Sequence, residues 1–271
     1  MKSCPLFDTH AHYDHPLFGE EGSKILKQLF DEGIVDGVVI PPISFRSNFN
    51  RDLFPRKEFP SVFFAVGVHP LCIDEHALEA IYDSLELDRI IGMPGTAAIK
   101  TDLDFHKEKL ILGPKTYQYM SFEYFIGRAN RYRMPMVLHV RDALEDTINT
   151  LSEKTLDVEA EVHCFTYDFE AAKALMDVGV TRFGIGGMLT RPEMEHLRDC
   201  VKRLPLSAIL LETDAPFVRP AGYGDGPNTS RTLMQTAELI AQLREIPVEE
   251  VIEAVQQNAK DFFRLEQIKK E

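Results

Sequence analysis

Short runs of apolar and β-branched residues recur along the whole chain, each followed by a polar turn and then by a stretch with helical periodicity. The runs lie at 5–9 (P-L-F-D-T), 35–40 (V-D-G-V-V-I), 61–68 (S-V-F-F-A-V-G-V) and 96–100 (T-A-A-I-K). They continue at 135–140 (P-M-V-L-H-V), 159–164 (E-A-E-V-H-C), 180–185 (V-T-R-F-G-I) and 207–211 (S-A-I-L-L). Runs this continuous suit strands covered on both faces. Amphipathic stretches separate them: 21–32 around Ile25, Leu26, Leu29 and Phe30, 168–178 around Ala171, Leu175 and Met176, and 229–245 around Leu233, Ala237, Leu239, Ile240 and Leu243. A last helix is expected at 248–264. Gly33 and Gly179 stand where helix ends need a residue that tolerates left-handed backbone. The segment 41–60, rich in proline and asparagine, predicts no clear helix.

Strands alternating with helices call for a parallel sheet. Eight such units point to a closed TIM-type (β/α)8 barrel rather than an open sheet, because a barrel of this kind takes about 250 residues and the chain has 271. No linker, low-complexity tract or charge block interrupts the pattern, so a single domain over 1–271 is expected.

In such a barrel the chemistry sits where the strands end at their carboxyl side. Those ends carry Asp8-Thr9-His10-Ala11-His12, His69, Lys100-Thr101-Asp102, His139-Val140-Arg141, His163 and Glu212-Thr213-Asp214. Five of nine histidines fall there, which random scatter seldom produces. His10 and His12 are two apart on an extended segment, so both rings face one way and can serve one ion. Alone, H-x-H is as readily two unrelated histidines; with His139, His163 and Asp214 at matching strand ends, a shared metal is the better reading. Imidazole with carboxylate suits zinc, manganese, cobalt or iron better than calcium. A bound ion would acidify water from a pKa of ~15.7 toward ~7. Asp214, at a buried strand end, would act as its general base, the competing role being a helix N-cap. Arg141, on the same side as His139, suits phosphate or carboxylate, or else a rim ion pair with Asp142. His69 is assigned to substrate contact or to ring support, and Asp8 to orienting a ligand histidine or to capping the strand end.

Charge narrows the choice of partner. The formal net charge is -13, which reads first as solubility; such a surface also repels polyanions at long range, so a processive grip on duplex DNA is not expected. Arg128, Arg131 and Arg133 read as a solvated helix end. Cys4, Cys72, Cys164 and Cys200 form no C-x-x-C pair, which argues against a disulfide framework or zinc knuckle and fits a reducing compartment. No apolar signal core opens the chain and no run approaches the ~20 residues of a membrane span. The expectation is a cytoplasmic protein, a monomer or small homo-oligomer, without a membrane partner.

The strings D-T-H-A-H at 8–12, G-V-H-P at 67–70, L-H-V-R-D-A at 138–143, H-C-F at 163–165 and E-T-D-A-P at 212–216, in this order, resemble the TatD-like hydrolases of the amidohydrolase superfamily. Asn258-Ala259 before Asp261-Phe262-Phe263 is similar to that family's closing helix. The resemblance spans almost the whole chain. It implies a metal-dependent phosphoesterase, often a deoxyribonuclease, holding one or two divalent ions (zinc, manganese, magnesium or cobalt). It carries ligand roles onto His10, His12, His139, His163 and Asp214. The expected substrate is a small phosphoester or a nucleic-acid end, with Arg219 through Arg231 as a further source of phosphate contacts.

One position departs. The family's fourth strand reads like I-G-E-x-G-L-D, its glutamate bridging two metals; aligned on Leu103-Asp104, that glutamate is Lys100 here. Three outcomes are physically open. The ammonium takes part of one ion's space, leaving one metal or none. Lys100 forms a carbamate, restoring an anionic bridge. Or Lys100 swings out and Asp102, where the family has glycine, becomes a ligand. The first is favoured, giving one ion and altered activity. The rival functions are a C–N or C–O bond hydrolase with carbamylated Lys100, and a metal- or phosphate-binding pseudoenzyme.

Overall fold

The computed structural model describes residues 5–82, 84–106 and 114–268; Cys4 and the side chain of Asp102 lie outside them. Eight parallel strands follow one another around the sheet in chain order. They are β1 (Leu6–Asp8), β2 (Val35–Ile40), β3 (Val62–Gly67), β4 (Thr96–Asp104), β5 (Met136–Arg141), β6 (Ala160–Val162), β7 (Val180–Ile185) and β8 (Ile209–Leu211). The helices between and after them are α1 (Gly22–Asp31), α2 (Glu75–Tyr82), α3 (Ser84–Ile91), α4 (Lys115–Tyr132) and α5 (Leu144–Glu153). The series continues with α6 (Phe169–Asp177), α7 (Glu195–Arg203), α8 (Leu233–Arg244), α9 (Val248–Phe262) and α10 (Leu265–Ile268). Gly33 and Gly179 end α1 and α6 at φ values of 69° and 101°, the left-handed backbone that spares a glycine the Cβ clash.

The barrel closes just past β1 and β8. Thr9 N–H donates to the Leu211 carbonyl at 3.1 Å, Asp214 N–H to His10 at 2.8 Å and His12 N–H to Ala215 at 2.6 Å. Ala11 and Ala215 form a parallel bridge across this seam. Asp8 fastens it from the side: its carboxylate accepts the backbone N–H of His10 and of Thr213 and the hydroxyls of Thr213 and Ser230, the last two at 2.6 Å. Capping of the strand end is therefore what Asp8 does; its carboxylate reaches no histidine ring by a hydrogen bond among the described residues.

Strand alternation separates an outer core against the helices from an inner one. Phe7, Val39, Phe63, Ala65, Ala98, Val137 and Leu210 form the inner cluster together with Phe262 and Phe263 from the end of α9. Phe263 stacks 6.4 Å from Phe7 and lies 4.8 Å, edge on, from Phe262. The aromatic pair thus plugs the lumen at the amino-terminal end of the strands. Asn258, one helical turn earlier, donates to the carbonyls of Leu206 and Ile209 and anchors α9 to β8.

The structure departs from the sequence reading at several boundaries. β4 runs four residues beyond 96–100 to Asp104, because its polar residues are buried and do not end the strand. β6 and β8 are shorter than the apolar runs that announced them. Residues Arg46–Leu53 form a 3₁₀ stretch, held by Asn48, whose amide group both donates to and accepts from the backbone of Gly67. The helix expected over 229–245 begins with a 3₁₀ turn, Ser230–Thr232, before α8. Cys72, Cys164 and Cys200 are free thiols. Among the described residues, no helix is long and apolar enough to cross a membrane.

Phe262 is fully buried in the plug. Phe262→Ala is expected to cost about 3–5 kcal/mol, read from urea unfolding. A loss under about 1 kcal/mol would mean the cavity collapses, so that the plug is not a packed element.

Candidate metal centre

The seam sets the site. With Asp214 N–H bonded to the His10 carbonyl, the Asp214 carboxylate turns back over β1. Its Oδ1 lies 3.4 Å from Nε2 of His12 and 3.7 Å from Nε2 of His10. Asp214 holds a left-handed backbone at φ 53°, a conformation that aspartate tolerates better than most residues. His12 donates its Nδ1 proton to the Pro41 carbonyl at 3.0 Å, which leaves Nε2 bare toward Asp214. His10 lies flat against His163, ring centres 3.8 Å apart. His163 in turn approaches His139, with Nε2 and Nδ1 at 3.0 Å.

Two three-donor groups result. His10, His163 and Asp214 each offer one ligand atom, all within 4.8 Å of one another; His69, Asp104 and His139 do the same. Nε2 of His10 is buried and meets no hydrogen-bond partner. Burial, and next the neighbouring ring of His163, hold the His10 pKa well below its ordinary value. Burial, and next the charge of Lys100, do the same to His163. Both rings are thus neutral near pH 7, the form that binds metal. A buried, unpartnered imidazole nitrogen facing a carboxylate fits a divalent ion.

The remaining sequence candidates fall around this core. His139 lies between His163 and Asp104, its Nε2 3.4 Å from Asp104 Oδ2. Burial works against the Asp104 anion, yet the hydrogen bonds from the His139 ring and the His106 backbone hold its pKa below the ordinary value. His69 accepts the Leu71 N–H on Nδ1 at 3.2 Å, and its ring lies 5.0 Å from that of His139. Arg141 is half exposed at the rim, 3.9 Å from Asp104. Asp142, the partner considered for Arg141, pairs with His106 at 2.8 Å instead. Lys100 is 1% exposed and lines the cavity with His12, His69, His139, His163 and Asp214. That cavity is about 320 Å³ and has an apolar wall of Ile43, Leu71, Cys72 and Phe217.

Three residues were not given roles from sequence. Asp104 orients His139, and its signal was its spacing from Lys100 on one strand face. Glu212 accepts the Cys164 N–H at 2.6 Å beneath His163; Gly184 on β7 leaves the space its carboxylate fills. Glu161, two residues before His163 and hence on the same strand face, is fully buried. A carboxylate inside an otherwise apolar run was the available sign.

The family model described as TatD related DNase matches residues 7–264. The chain is 27% identical over 269 residues to the "Uncharacterized metal-dependent hydrolase YjjV" of Escherichia coli K12, covering 97% of this chain and 99% of that one. It is 29% identical over 264 residues to the metal-dependent hydrolase YabD of Bacillus subtilis, covering 96% and 99%. The crystal structure of the TatD homologue YjjV superposes with a TM-score of 0.83 at 26% identity, covering 96% and 98%. A hydrolase of the TatD family from Entamoeba histolytica gives the same TM-score at 19% identity, covering 97% and 99%.

Because Asp104 fixes the ring of His139, Asp104→Asn is expected to weaken divalent-metal affinity about 10–100-fold. Isothermal titration with zinc would measure it. An affinity equal to the parent protein's would remove His139 from the ligand set.

Proposed function

The chain belongs to the TatD related DNase family and is a metal-dependent hydrolase, and on that premise we propose that the bond it cleaves is a phosphoester, with Asp214 as the base. The observation that carries this reading is the convergence of His10, His12, His163 and Asp214 on one point of the cavity. His10, His12 and Asp214 would hold the ion, with His163 and His139 closing its other side. A divalent ion there supplies Lewis acidity, polarising a phosphoryl oxygen and bringing the pKa of water toward ~7.

The chain's own groups do the rest. Asp214 is part-exposed to the cavity, so its carboxylate can both face the ion and take the proton of the attacking water. His69 accepts a backbone N–H at Nδ1, so its neutral tautomer presents Nε2–H to a phosphoryl oxygen. Arg141 at the rim offers a guanidinium to a second oxygen. The wall of Ile43, Leu71 and Phe217 accommodates the apolar part of an ester or the face of a base. A cavity of about 320 Å³ admits a small phosphoester or the end of a strand, and the charge of -13 disfavours a long polyanion track. Lys100 in the bridging position supports one ion rather than two.

Cleavage of p-nitrophenyl phosphate and of single-stranded DNA is expected with Mn, Mg, Zn or Co added. Turnover of neither, with metal bound, would favour a ligand-binding role over catalysis. Asp214→Asn is expected to abolish turnover with the circular dichroism spectrum unchanged; retained turnover would take the base role from Asp214. Lys100→Glu is expected to raise metal content from one ion toward two by elemental analysis, and an unchanged ratio would count against the bridging position.

A further inference from the structure

Acidic residues outnumber basic ones 43 to 30 in the chain, so arginines without acidic partners stand out. Arg191, after β7, and Arg219, after β8, are such a pair: among the described residues neither guanidinium makes an ion pair. Arg219 donates from one nitrogen to the carbonyls of Gly224 and Gly226, at 2.9 and 3.2 Å. That fixes its fork and leaves its other donors unused.

The two arginines line one groove, and the groove is built. The 3₁₀ turn Gly187–Thr190 lies directly on the loop after β8, so that a Cβ at Gly187 would meet the Val218 carbonyl at 2.5 Å. Thr190 staples turn to loop: its hydroxyl donates to the Gly187 carbonyl and accepts the Ala221 N–H, both at 2.7 Å. The Arg191 carbonyl accepts from Arg198 at 2.6 Å. Asn228, fully buried, ties the loop down by donating to the carbonyls of Thr213 and Val218. The groove so held is about 690 Å³ and is lined by Arg191, Arg219, Leu17 and Phe217, and also by Asp225.

Phe217 belongs to both hollows. It lines the metal cavity beside His12 and Asp214, and its N–H donates to the Asp214 carbonyl at 2.8 Å. Its ring is 37% exposed and meets His15 edge on, 4.9 Å between centres. An exposed ring offers a base a stacking surface, and guanidinium forks suit phosphate oxygens.

We propose that Arg191 and Arg219 form a second anion subsite, across Phe217 from the metal cavity, which takes the phosphate next to the one cleaved. The substrate class is then the end of a short single strand, with one base against Phe217, rather than an isolated phosphomonoester. This rests on the phosphoester reading of the metal centre.

The test uses thymidine dinucleotides carrying a 5′-phosphate, a 3′-phosphate or neither. Chromatography counts only cleavage of the internucleotide bond, with Mn added. The parent protein is expected to prefer one phosphorylated form over the bare one by about tenfold or more in kcat/KM, carried by KM. Arg191→Ala is expected to bring that ratio close to one, and Arg191→Lys to give an intermediate ratio. A merely structural role for Arg191 would slow all three substrates alike and leave the ratio unchanged, which overturns the proposal, as does a parent protein without preference. If Arg191→Ala does not fold, Arg191→Gln carries the same comparison. If no dinucleotide is cleaved, the phosphoester reading fails, and calorimetric binding of the same three molecules decides the subsite. A preference for a phosphorylated form that Arg191→Ala removes then supports it; equal binding of all three overturns it.

Discussion

The seam between the first and last strands is the constraint on which the site depends. Strands β1 and β8 are three residues each, too short to close a barrel by their own ladder. Closure falls to the residues beyond them, through Thr9, Ala11 and His12 on one side and Leu211, Asp214 and Ala215 on the other. The same backbone bonds that shut the barrel place the Asp214 carboxylate against His10 and His12. Asp8 spends its whole hydrogen-bonding capacity on this joint, although burial raises its pKa to about 6. Fold closure and ligand geometry are one set of interactions here.

Charge in the lumen is layered. At the plugged end the interior is aromatic and aliphatic; at the mouth Lys100 lines the cavity with the imidazoles and Asp214, and Glu161 lies buried on β6. Glu212 gives one oxygen to the Cys164 amide. Burial, and next the nearby Glu161, push its pKa well up. The charge of Lys100 acts on both His10 and His163, so a lysine in a position suited to a carboxylate has effects beyond its own side chain.

Much of this was legible in the sequence, for physical reasons. The runs 35–40 and 180–185 match β2 and β7 to the residue, because strands covered on both faces are predominantly apolar, Asp36, Thr181 and Arg182 being their polar members. The carboxyl end of β4 was not legible, because Thr101 and Asp104 are polar yet buried, where an apolar-run reading sees a loop. Histidines and Asp214 could be assigned to one rim because parallel strands all end on the same side. Asp104 could not be tied to His139, because that relation depends on register between neighbouring strands. Asp8 was read with two roles, and only the position of Ser230, over two hundred residues away, selects the strand-end cap.

The aromatic plug has one more consequence. With Phe262 and Phe263 filling the amino-terminal end of the lumen among the described residues, the site is reached from its mouth. Whatever enters leaves by the same door, past Phe217 and the apolar wall. Reactant and product of the hydrolysis would therefore share that passage, so that departure of one precedes entry of the other.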